Sequence, residues 1–239
     1  MALPGTGTLV NTAAIALGTI IGWTLGNRLP RRVSEIVLQV LGPVTLVLGI
    51  QMALTAQTAA QSVTVLVALV VGAATGEAIN IEFWLEQLGK RLETWVSRRF
   101  GPSPITQAFV TTSILYVVGP MTILGSIQDG LGDPSLLLIK SALDGVASIA
   151  FTTSLGWGTA FSMISVLVYQ GILTLLARQL TEVFQPDVIA ALTATGGILV
   201  MGVGINLLDI KQLRVGNFLP ALLLVVILVS CFPLWDLTF

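Results

Sequence analysis

The placement of charge constrains this chain more than any other feature. Eight apolar runs, at residues 9–25, 36–54, 63–80, 106–128, 135–153, 159–177, 188–208 and 215–235, alternate with connectors that carry nearly all of the charged side chains. Each run approaches or reaches the roughly 20 residues that a helix needs to cross ~30 Å of hydrocarbon. In such a medium every backbone N–H and C=O must be bonded within the protein, so runs of this kind have to be helices. Only 10% of residues are charged, where a soluble domain holds roughly 25%. The mean hydropathy is +0.93. The expected fold is therefore all-α: one polytopic membrane domain over 1–239, with about eight transmembrane helices.

Several function classes fall away at once. A net charge of -1, confined to short connectors, offers nothing to nucleic acid. The chain has no histidine and one cysteine, Cys231, within the last run. That excludes an intrachain disulfide and a His/Cys metal site, and removes the usual general base. No cofactor and no enzymatic activity are expected. The first run lacks a basic segment before it, unlike a cleaved signal peptide.

Orientation follows from the basic residues. With the N-terminus outside, Arg28, Arg31, Arg32, Lys90, Arg91, Arg98, Arg99, Lys211 and Arg214 all fall on inner connectors, nine of the 11 Lys and Arg. Asp129, Asp133, Glu182 and Asp187 fall on outer ones. This bias places both termini outside. Residues 81–100 read differently: Ile81, Trp84, Leu85, Leu88, Leu92, Trp95, Val96 and Phe100 recur at helical spacing with charges between them. That pattern is an amphipathic helix lying along the interface.

The richest stretch is 116–145, YVVGPMTILGSIQDGLGDPSLLLIKSALDG. Lys140 and Asp144 are four apart and so share a helix face. If Pro134 opens a span, Asp144 lies roughly 15 Å along it, near the bilayer centre. Charges at that depth need a partner or a wet cavity, which points either to a ligand path or to an ion pair that locks helices. Gly18 and Gly22 in the first span form a small-xxx-small pair suited to close helix packing.

Internal repetition adds to this. LGPVTLVLGIQMAL at 41–54 and VGPMTILGSIQDGL at 118–131 share Gly-Pro-x-Thr and a later Ile-Gln. Gly196 and Gly197 give a weaker echo. Segments 8–80 and 159–236 share a plan on either side of the central spans at 106–153. Five spans separate their matching members, an odd number, so the two sets would be inverted. Helix breaks are expected at Gly42-Pro43, Gly119-Pro120 and Gly196-Gly197, because proline removes a donor and frees a carbonyl. Thr45, Gln51, Thr122, Ser126, Gln128, Asp129, Lys140, Asp144 and Asn206 are the candidate binding residues around those breaks. GWG at 156–158 is expected to divide the fifth span from the sixth.

The motifs GPMTILGSIQDG, GDPSLLLIKSALDG, Gly76-Glu77, SLGWG and VGNFLPALL, spread over essentially the whole chain, resemble the bacterial YqgA/YdfK-like membrane family, domain of unknown function 554. The resemblance implies a multi-span protein of the bacterial inner membrane, and it brings no catalytic residues with it.

Three functions compete on the sequence. The first is a transporter or channel for a small ion or polar solute, with its site near the midplane. Without a P-loop, any drive would come from a cation gradient. The second is a non-transporting scaffold or sensor subunit. The third is an intramembrane aspartyl protease, suggested by Gly130-Leu131-Gly132-Asp133 and Pro220-Ala221-Leu222 but lacking a second aspartate motif. Expected partners are the lipid bilayer and the small ion or solute, with a homo-oligomer left open.

Overall fold

The computed structural model describes residues 3–26, 31–84, 87, 91, 94, 105–180 and 183–231. Among the described residues the chain is helical, without a strand. The helices are α1 (Thr6–Gly26), α2 (Arg31–Ala53), α3 (Ala59–Ile79), α4 (Ile105–Val118), α5 (Pro120–Gly130), α6 (Ser135–Leu155), α7 (Ser162–Leu175), α8 (Ala177–Leu180), α9 (Pro186–Leu207) and α10 (Pro220–Cys231). Short 3-10 turns, Trp157–Phe161 and Val215–Phe218, lead into α7 and α10.

By length and apolarity α1, α3, α6, the run Trp157–Leu175 and α9 can each cross a membrane. The pair α4–α5, bent by 64°, makes a sixth if it is one span. Gln39–Ala53 and Val215–Cys231 are apolar but shorter. Each predicted run is thus mainly helical over its described residues, while length and composition alone carry five or six of them across. The amphipathic stretch 81–100 lies mostly outside the described residues, as do Arg28, Lys90, Arg98 and Arg99.

Two of the predicted breaks do not occur. Helix α2 continues through Gly42 and Pro43, and α9 through Gly196 and Gly197. On α2, Gly42, Thr45 and Gly49 share one face, spaced by three and four residues. Ideal Cβ atoms on Gly42 and Gly49 would lie 2.5 Å from Leu208 and 2.6 Å from Met201 of α9. Close packing on both sides of Pro43 holds that helix together, and its exposed ring needs no partner. Gly196 and Gly197 serve close packing as well: a Cβ on Gly197 would meet Ala53 N at 2.4 Å.

The break at Gly119-Pro120 does occur, and its chemistry is visible. Pro120 lacks the N–H that would bond the Tyr116 carbonyl. The Thr122 hydroxyl donates to that carbonyl instead, at 2.7 Å.

The chain divides into two compact units. One is built from α1, α4, α5 beyond Pro120, α6, α7 and α8; the other from α2 beyond Val40, α3, the Val118–Pro120 link, α9 and α10. In the first unit α1 runs parallel to α6. Its glycines follow α6 turn by turn: Gly7 against Leu137, Gly18 against Gly145 and Ser148, Gly22 against Ile149 and Thr152. A Cβ on Gly18 would stand 2.3 Å from the Gly145 carbonyl oxygen, so the small-xxx-small pair permits backbone approach, as its sequence suggests. Helix α7 is antiparallel to α1, since Thr8 meets Thr174 near one end and Trp23 meets Trp157, in the turn leading into α7, near the other.

In the second unit, α2 pairs antiparallel with α9, and α3 with α10, where Gly72 meets Ala221 and Gly76 meets Asn217. Exposed Leu9, Leu17, Ile20, Ile139, Leu143 and Val146 give the first unit an apolar outer face, as a lipid solvent requires.

Among the described residues Gly5, Gly132 and Gly156 have positive φ, and the last two end helices. Gly132 (φ +97°) closes α5, its N–H bonding the Asp129 carbonyl, and lets the chain turn into α6. Gly156 (φ +82°) ends α6 and starts the 3-10 turn, so the GWG segment divides the two spans.

Candidate functional site

Within the first unit the polar side chains form a file along the seam of α1, α5, α6 and α7. It starts at Asp129, in the last turn of α5 and fully buried. Its carboxylate accepts from the backbone N–H of Gly7 (2.8 Å) and Thr8 (3.0 Å), and from the Thr8 hydroxyl (3.0 Å). The first-turn donors of a helix have no partners within it. Here a carboxylate from another helix supplies them and faces the positive end of the α1 dipole.

Beside it, the Thr8 and Thr174 hydroxyls lie 3.1 Å apart, and Thr174 Oγ1 is 3.1 Å from the Ser126 carbonyl oxygen. Two hydroxyl protons serve three contacts, so this link can be polarised in either direction.

One turn further along α1 stands Asn11, fully buried, whose Nδ2 donates to Asp144 Oδ2 at 3.1 Å. The same carboxylate oxygen takes the Lys140 ammonium in a direct ion pair along α6. Both partners are buried. Lys140 Nζ also lies 5.8 Å from the centre of the Tyr116 ring, within cation–π range. The Tyr116 hydroxyl bonds Ser148 at 2.9 Å, which extends the file toward Thr19 and Thr152.

Several buried atoms along it have no protein partner: Asn11 Oδ1, Thr19 Oγ1, Thr152 Oγ1 and both amide atoms of Gln170. Burying such an atom unbonded costs about 1–3 kcal/mol.

The file is flanked by pockets at opposite ends of α1. One, of about 570 Å³, is lined by Gly5, Thr8, Gly130, Leu167, Gly171 and Thr174, among others. The other, of about 220 Å³, is lined by Trp23, Gly26, Thr152, Thr153 and Gly156, among others. A buried ion pair in a wall of hydroxyls and amides, with space at either end, can hold or pass a small polar species.

The family described as protein of unknown function DUF554 matches residues 6–230, nearly the whole chain and all of this file. The chain belongs to that family. It is 30% identical over 221 residues to the uncharacterised membrane protein YdfK of Bacillus subtilis (strain 168), covering 91% of this chain and 93% of that one. To the uncharacterised protein YqgA of Escherichia coli (strain K12) it is 29% identical over 233 residues, 96% and 98% of the two chains. No solved structure matches it.

Of the candidate residues drawn from the sequence of this DUF554 protein, the first unit holds six. Asp129, Lys140 and Asp144 lie in the file. Ser126 joins it through its carbonyl, while its hydroxyl bonds the Thr122 carbonyl at 2.5 Å. Thr122 braces the bend, and Gln128 is half-buried. Asp129 corrects the outer-loop placement: it is interior and bound to α1.

The other three are in the second unit. Thr45 is buried on α2 and Gln51 is exposed. Asn206 uses both ends of its amide on the backbone of Leu213, at 2.7 and 2.8 Å, and so closes the turn after α9. Thr8, Asn11, Tyr116, Ser148, Gln170 and Thr174 were not singled out in the sequence. Asn11 and Gln170 carried the one available signal, a lone amide within an apolar run.

Proposed function

We propose that this protein is a transporter or channel for a small ion or polar solute in the bacterial inner membrane, with the file in the first unit as its path. The observation that carries this reading is the buried Lys140–Asp144 pair, set in a row of polar side chains between two pockets. A pair serving helix locking alone needs neither the pockets nor the unpartnered amides beside it.

Helix direction supports the eight-span count. Because α1 and α6 are parallel, an odd number of crossings separates them. Helices α2, α3 and the bent α4–α5 pair supply three.

The inverted-halves reading gains support from packing. Span 1 pairs antiparallel with span 6 (α1 with α7), span 2 with span 7 (α2 with α9), and span 3 with span 8 (α3 with α10). Inverted halves that meet member by member are a recurrent transporter plan, with the site near the midplane.

Proteolysis has less in its favour. Asp133 is exposed, and hydrogen bonds from the Ser135 side chain and backbone hold its carboxyl below the usual carboxylate range. A catalytic aspartate pair needs one carboxyl held protonated instead.

The test is flux in sealed proteoliposomes. The wild type should accelerate passage of at least one small ion or solute, and the double variant Lys140→Met/Asp144→Leu should fold and lose that passage. Undiminished flux in the folded double variant would reduce the pair to a helix lock.

A further inference from the structure

Gln170 is the least explained polar side chain in the first unit. It lies in the middle of α7, is fully buried, and neither its Oε1 nor its Nε2 meets a protein partner. Helix register shows what it stands beside. Thr8 and Thr174 touch across the antiparallel α1 and α7. Three residues on along α1 is Asn11, and four back along α7 is Gln170. Both steps run the same way, by roughly one helical turn. Asn11 gives one of its two N–H groups to Asp144, and its Oδ1 is buried without a partner.

The atoms of this level without any partner are therefore two acceptors, Asn11 Oδ1 and Gln170 Oε1, and one donating group, Gln170 Nε2. The charges around it are already answered. Lys140 and Asp144 neutralise each other, and Asp129 is held by two backbone N–H groups and a hydroxyl at the positive end of α1. A permanent ion would bring a net charge to a buried place with no free countercharge. A neutral molecule that donates to the two oxygens and accepts from the amide N–H would satisfy every orphaned atom there.

We propose that Gln170 and Asn11 form the contact point of the path, and that the species they take is a small uncharged solute that both donates and accepts hydrogen bonds, of the polyol or urea class. This rests on the transport reading and narrows its substrate. The pocket of about 570 Å³ lies one helical turn away, its wall including Thr8, Thr174 and Gly171. A Cβ on Gly171 would meet nothing within 4 Å, so a side chain there enters open space.

The experiment uses the purified full chain in proteoliposomes. Light scattering follows shrinkage and re-swelling in glycerol and in urea, and a parallel assay follows sodium, potassium and chloride flux. Thermal unfolding in detergent is measured on the same preparations.

Wild type is expected to speed glycerol or urea entry severalfold without carrying the ions. Gln170→Leu is expected to abolish that entry while raising the unfolding temperature, because it replaces two orphaned polar atoms with an apolar group of similar size. A merely structural Gln170 would give the opposite sign, a lowered unfolding temperature, and that result would overturn the proposal. Gly171→Leu is the second variant: it should unfold no earlier than the wild type and slow entry by filling the pocket. Ion flux without neutral-solute entry would overturn this inference and leave the transport reading standing. No flux of any kind would remove both, and retention of solute entry by folded Gln170→Leu would remove this one alone.

Discussion

At the scale of single residues, the Lys140–Asp144 pair dominates the energetics. Both side chains are buried and share one carboxylate oxygen with Asn11. Removing one partner leaves an uncompensated charge, so Lys140→Met alone or Asp144→Leu alone should each cost about 3–5 kcal/mol. The double variant should recover most of that loss. Thermal or denaturant unfolding of the three variants in detergent measures the coupling directly. Glycines supply a second contrast. Gly18→Ala would put a methyl group 2.3 Å from the Gly145 carbonyl oxygen and should destabilise by about 1–3 kcal/mol. Gly171→Ala meets open space and, in a helix, should stabilise by about 0.4–1 kcal/mol. The same unfolding assay separates the two. Lys140 and Asp144 were legible from sequence because charge within an apolar run is costly and four-residue spacing is geometric. Asn11 and Gln170 were not: an uncharged amide is cheap enough to sit on many helix faces, and only the neighbouring helix fixes which. Asp129 reads as a loop residue beside the Gly-Leu-Gly-Asp-Pro turn, and its role depends on the start of α1, more than a hundred residues earlier in the chain.

At the scale of elements, the informative comparison is between the twin Gly-Pro-x-Thr segments. The same Gly-Pro-x-Thr motif lies in a continuous helix at 41–53 and at a sharp bend within 118–131. Proline sets the same local penalty at both sites, and packing decides the outcome. Around Pro43, Gly42 and Gly49 press onto α9 and keep the axis straight. At the second site Gly119 has open space, and the Thr122 hydroxyl replaces the bond that Pro120 cannot make. Thr122→Val should therefore leave the Tyr116 carbonyl buried and unpaired, costing about 1–3 kcal/mol, while Thr122→Ser should restore most of it. Unfolding midpoints of the two variants check this. Gly132 and Gly156 were readable as breaks because turn chemistry is local, whereas the fate of Gly196-Gly197 depended on α2, far away in the chain.

At the scale of the whole molecule, topology is the claim with the widest consequences, since it decides which pocket meets which compartment. Two independent arguments lead to the same arrangement. Basic connectors collect on one side, and the parallel run of α1 and α6 needs an odd number of crossings between them. If α2 did not cross, α3 and the bent pair would supply two crossings and α1 would oppose α6, against the glycine-by-glycine register of Gly7, Gly18 and Gly22 on that helix. In the proposed eight-span arrangement α2 therefore crosses together with α3 and the bent pair. The proposed arrangement would put Gln61 and Asp187 outside and Lys211 inside, with the larger pocket, beside Gly5 and Thr8, toward the outer face. Single cysteines can be installed at those three sites once the native Cys231 is changed to serine. A membrane-impermeant thiol reagent applied to intact cells should label Gln61→Cys and Asp187→Cys, and should reach Lys211→Cys only after the membrane is opened. Labelling of Lys211→Cys from outside, at the rate of the other two, would put an even number of crossings between Asp187 and Lys211 and end the eight-span arrangement. The expected pattern would instead assign the larger pocket to the outer compartment, and with it the side from which a solute first meets Thr8 and Thr174.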